Sequence, residues 1–125
     1  GLYEMTFDGG GLVELGNVSV FETFGTVILS SSGPNTRSFT VQNIYPDFGG
    51  FPGVQVDLTF CAGNVSLSNN VDVGVGCGGT TVVLGPEGGS YNELDDSSFT
   101  LIMTEDINSS CGNPAPTIYT FTKVN

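Results

Sequence analysis

Asp47 lies in the stretch NIYPDFGGFPG (Asn43–Gly53), and Glu93, Asp95 and Asp96 lie in SYNELDDSS; these acids are placed where they could act on a ligand. Tyr45, Phe48 and Phe51 surround the first, and Tyr91 and Asn92 precede the others. A flat ring stacks on the C–H face of a sugar, while carboxylates and amides bond its hydroxyls. The residue types point to glycan contact, with Tyr45, Phe48 and Phe51 as platform and Asp47, Tyr91, Asn92 and Asp95 as polar partners. A plainer reading folds Phe48 and Phe51 inward as a plug and leaves Tyr45 partly in water. The absence of Trp weighs towards the plug.

Catalysis has little to draw on. The chain has no histidine, which removes the usual general base near neutral pH and the commonest metal ligand. A glycosidase needs two acids held at a set distance across a cleft, and thirteen acids scattered along the chain do not define such a pair. The expectation is a protein that is not an enzyme. YNELDDSS and MTEDIN offer oxygen ligands but lack the D-x-D-x-D-G spacing of a calcium loop, so neither a metal nor another cofactor is expected.

Cys61, Cys77 and Cys111 show no CxxC spacing and lack a fourth ligand for zinc or an iron–sulfur cluster. In an exported domain they predict one disulfide and one leftover thiol. Cys77 with Cys111 is the first choice, because both lie in glycine-flanked loops; Cys61 with Cys77 is the second.

Two cations, Arg37 and Lys123, stand against the thirteen acids, for a net charge of −11. Nucleic-acid binding requires clustered Lys and Arg to replace counterions, so that class is excluded. An anionic membrane surface would repel the chain, and no apolar run approaches the ~20 residues needed to span a bilayer. Abundant Gly, Ser, Thr and Asn with little Lys fits a secreted or surface-exposed domain.

The elements that position these residues are strands. VQVDLTFC sets Val54, Val56, Leu58 and Phe60 on one face and Gln55, Asp57, Thr59 and Cys61 on the other. Tyr3, Met5 and Phe7 alternate likewise, as do Phe99, Leu101 and Met103, and Tyr119 and Phe121. Other candidates are Leu12–Leu15, Asn17–Thr23, Thr26–Ser31, Phe39–Ile44, Asn64–Ser68, Val71–Val75 and Thr80–Leu84. About ten short strands broken by Gly, Asn, Pro and Ser predict one all-β antiparallel domain over residues 1–125, a small calycin-like barrel or a two-sheet sandwich. If every strand crosses the domain, all three cysteines gather at one end. The aromatic loop then sits at the other, beside a long loop Gly85–Ser98.

The final third, from CGGTTVVLGP to TIYTFTKV, resembles the tail of small β-rich domains in Bacteroidota cell-surface lipoproteins. The resemblance rests on Asp95–Phe99, Cys111–Gly112 and Tyr119–Lys123. It implies a secreted or outer-surface location, a lipid anchor in the full-length protein, and proximity to polysaccharide-handling machinery; it transfers no site residues. The combined expectation is a non-catalytic exported binding or accessory module whose partner is a polysaccharide or another surface protein. A structural or protein-interaction domain of a larger surface protein is one alternative, and a barrel carrying an apolar ligand inside is another.

Overall fold

In a computed structural model that describes residues 1–124, the chain forms an antiparallel sheet that curls into a nearly closed barrel. Ten strands build it: β1 (Leu2–Gly10), β2 (Thr26–Ile28), β3 (Ser30–Ser31), β4 (Thr36–Ile44), β5 (Phe51–Cys61), β6 (Asn64–Leu67), β7 (Val71–Asp72), β8 (Val83–Asn92), β9 (Asp95–Glu105) and β10 (Ala115–Lys123). The order across the sheet is β2-β1-β10-β9-β8-β6-β5-β4-β3, with β7 attached to β8. One segment closes the ring. Leu2, Tyr3 and Glu4 pair with Ile28, Val27 and Thr26, and two residues later Ser30 and Ser31 pair with Ser38 and Arg37. Leu29, between the two pairings, turns inward and is buried.

Alternation decides what fills the barrel. Tyr3, Met5, Val56, Leu58, Phe99, Leu101, Met103, Tyr119 and Phe121 are all buried, as their period-2 spacing predicts. Val54 and Phe60 pack against this core from partly buried positions. Phe99 and Phe121, directly opposite in the β9–β10 pairing, stack with centroids 4.6 Å apart. Phe39 meets Phe121 edge-on at 5.3 Å. Side chains occupy the interior.

Three local expectations are corrected. Leu12–Leu15 contains a 3₁₀ turn, Val13–Leu15, not a strand. Asn17–Thr23 runs beside β4 and contributes only the isolated bridge Phe21–Ile44. Gly85–Ser98 is no long loop: it is most of the β8–β9 hairpin, with Glu93–Leu94 as its turn. The glycines are what allow the pairing. A Cβ on Gly89 would stand 2.1 Å from the carbonyl oxygen of Thr100 across the ladder, so only a bare backbone comes that close.

A fourth correction inverts one half of the molecule. Residues 68–82 do not cross the barrel and return; they make one excursion at a single end, carrying only the two-residue β7. Strand direction after Ser68 is therefore opposite to that expected from crossing strands. Cys77 and Cys111 share a pole with the Tyr45–Gly50 loop. Cys61, exposed and unpaired, lies at the other pole near the Glu93–Leu94 turn, where Tyr91 N–H donates to Gly63 O at 3.0 Å. Cys77 and Cys111 form the disulfide.

Candidate functional site

The disulfide pole is tightly organised around buried acids. Tyr45 is buried, contrary to the expectation of a wet ring, and its hydroxyl donates to Glu105 Oε2 at 2.5 Å. Its backbone sits at φ 49°, a left-handed conformation that a bulky residue rarely adopts. Tyr45 N–H is fixed to Val20 O at 2.7 Å, and burial of the ring holds the arrangement. Phe48 is the half-exposed ring of the loop, with its centroid 6.0 Å from that of Tyr45. Phe51 opens β5 and packs against the core. Asp47 lies in the 3₁₀ turn Pro46–Phe48. The loop is a plug, but the ring it leaves to water is Phe48.

Burial raises the Glu105 carboxyl above its ordinary range; the Tyr45 hydroxyl and the Leu12 N–H act in the opposite direction. Tyr45 is raised too, first by burial and then by its bond to Glu105, so it stays protonated and keeps donating. Next in sequence, Asp106 accepts from three successive N–H groups: Ser110 through Oδ1 and Cys111 and Gly112 through Oδ2, at 2.8, 2.8 and 3.1 Å. That carboxylate shapes the loop carrying Cys111. Two buried side-chain oxygens, Glu105 Oε1 and Thr117 Oγ1, have no hydrogen-bond partner among the described residues.

The opposite pole opens into a cavity of about 420 Å³, within the ~300–1,000 Å³ range of small-molecule sites. Phe60 from the end of β5, Tyr91 from the end of β8 and Phe99 from the start of β9 supply its apolar wall. Phe60 sits edge-on to both Tyr91 and Phe99, at 5.2 and 5.1 Å, which fixes the rings relative to one another. Asn35, Arg37, Asn92, Asp96 and Lys123 bring hydrogen-bonding and charged groups to the same rim. Lys123 Nζ lies 2.7 Å from Asp96 Oδ2; the pair holds the Asp96 carboxyl below, and the Lys123 ammonium above, their ordinary ranges. The Tyr3 hydroxyl donates to Asp96 O at 3.0 Å and anchors that part of the rim.

The expected ligand-binding residues are thus divided. Tyr91 and Asn92 line the mouth cavity, and Asp95 begins β9 just beyond them, its carboxylate engaged with Ser97 N–H at 2.9 Å. Tyr45, Asp47, Phe48 and Phe51 belong to the far pole, separated by the length of β9, along which Asp95 and Glu105 are the two ends. No single surface joins the two sets. Sequence reasoning missed Phe60, Asn35, Arg37 and Lys123 as cavity residues. Arg37 and Lys123 were legible as the only cations, but nothing in their spacing showed that they share a rim. Asp96 is shifted downward by Lys123, and the raised carboxyl, Glu105, is sealed at the other pole. Comparison with protein-family models, curated proteins and solved structures yields no match for this chain.

Proposed function

We propose that this is a non-catalytic binding or accessory module of a secreted or outer-surface protein, and that its ligand is a glycan held at the barrel mouth. The reading is carried by the cavity itself, where ordered aromatic rings, Phe60 and Tyr91, stand beside the amides of Asn35 and Asn92. An apolar wall with a few convergent polar groups fits a sugar's alternation of C–H faces and hydroxyls. The filled interior gives no support to a carrier of an apolar ligand inside the barrel.

Titration of mono- and disaccharides into isotopically labelled protein, followed by NMR, tests the proposal. Chemical-shift changes are expected at Arg37, Phe60, Tyr91 and Asn92. Millimolar sugars of every class leaving those signals unmoved would overturn it. The rival reading, a structural or protein-interaction domain, draws on Phe24 and Leu94, which are 94% and 96% exposed. Loss of a partner protein on replacing those two residues by Ser, with no sugar bound by the parent chain, would favour that alternative.

A further inference from the structure

Both cations of an otherwise acidic chain line one cavity. Arg37 stands on β4 and Lys123 at the end of β10, strands on different sides of the ring, yet both face the mouth. Their situations differ. Lys123 is matched by Asp96, the one ion pair among the described residues. Arg37 meets no carboxylate among the described residues. Its guanidinium donates only through Nη1, to Thr36 O at 2.8 Å and Gly33 O at 3.4 Å. Nε and Nη2, the edge that takes a carboxylate in two parallel bonds, make no hydrogen bond among the described residues. In a chain with thirteen acids, the fork is held half-buried at a cavity wall with that edge free.

We infer that the mouth selects an acidic sugar, a terminal uronate whose carboxylate sits on the Nε–Nη2 edge of Arg37 while its ring lies against Tyr91 and Phe60. This rests on the glycan reading above and adds the charge that the ligand must carry. Lys123 is neutralised by Asp96, so Arg37 is the group left to meet the carboxylate. Asn92 and Glu93 are placed to bond ring hydroxyls. The net charge of −11 restricts the form of the ligand. At physiological salt, charges beyond about 8 Å are screened, so a single uronate in the cavity feels chiefly the local groups. A long polyuronate would run out over an acidic surface and be repelled. A chain end, or a short oligosaccharide ending in a uronate, is the form that fits.

The test compares glucuronate and galacturonate with their methyl esters and with glucose and galactose, by calorimetry or NMR titration, on the parent protein and on Arg37→Gln and Arg37→Lys. Removing the charge from the ligand leaves the protein untouched, so this arm stands even if a variant folds poorly. A free uronate is expected to bind about tenfold to a hundredfold tighter than its ester. That advantage should vanish in Arg37→Gln and be only partly restored by Arg37→Lys. Esters and neutral sugars binding as tightly as the uronate would overturn this inference and leave the glycan site standing. An undiminished uronate preference in folded Arg37→Gln would also overturn it. Failure of every sugar to bind would remove both proposals.

Discussion

The hydroxyl of Tyr45 and the carboxylate of Glu105 are joined at 2.5 Å with both side chains buried, so a loop residue and the end of β9 share one proton-bearing contact. Tyr45→Phe keeps the ring and removes the donor, leaving a buried carboxyl without a partner. The expected cost is about 1–3 kcal/mol, read as a lower urea midpoint with unchanged m-value. An unaltered midpoint would show that Glu105 finds other company.

The same pair gives stability a pH dependence. Glu105 is raised in the fold, so the folded state binds more protons than the unfolded chain between the ordinary value of 4.5 and the raised one. Its contribution to stability is intact below 4.5 and is lost as pH rises through the folded value. Glu105→Gln has no proton to lose. Its stability relative to the parent should therefore improve as pH rises across that window. Parallel pH profiles for the two proteins would contradict this.

Reducing the Cys77–Cys111 bond frees a loop with a sequence separation of 34, a loss of roughly 3–4 kcal/mol by chain entropy. Cys77→Ser with Cys111→Ser should lower the denaturation midpoint by that order. The far-UV spectrum should be unchanged, because the bond joins loops rather than strands. Asp106→Ala in the oxidised protein acts on the same loop, by orphaning three N–H groups, and is expected to destabilise separately.

Gly53→Ala tests the β4–β5 ladder. A Cβ there would fall 1.7 Å from Val41 O, a backbone atom with no room to yield. The variant is expected to lose several kcal/mol or to accumulate as insoluble protein, checked by soluble yield and thermal melting. A melting temperature within a few degrees of the parent would refute the close approach.

The two poles can be separated functionally. Tyr91→Ala should weaken sugar binding about tenfold or more by removing a ring from the mouth, whereas Phe48→Ala, at the far pole, should leave it unchanged. Binding that responds to Phe48 and ignores Tyr91 would move the site to the other end.

Residues with two environments were the legible ones. Period-2 spacing placed Phe99, Leu101, Met103, Tyr119 and Phe121 inside, because a strand with one wet face writes its orientation into alternation. The disulfide was legible because glycine-flanked loops leave cysteines free to meet. Direction was not. Val71–Val75 looks like a strand, yet only Val71 and Asp72 pair, and that short pairing does not carry the chain across the barrel. Everything after it therefore points the other way, so Tyr91 ended opposite Tyr45. Tyr45 was misjudged because its burial depends on Glu105, sixty positions away, and no local pattern records that partner.

The segment from Phe21 to Ser31 has a consequence for how the molecule avoids its own kind. An open ten-stranded sheet would display two rows of unpaired amides, ready to template another chain. By knitting β1 to β4 near the mouth, with Glu22 N–H bonded to Asn43 O and Phe21 bridged to Ile44 farther along, one short stretch shortens both rows at once. Damage to that stretch should appear first as fibrils, before any loss of core packing.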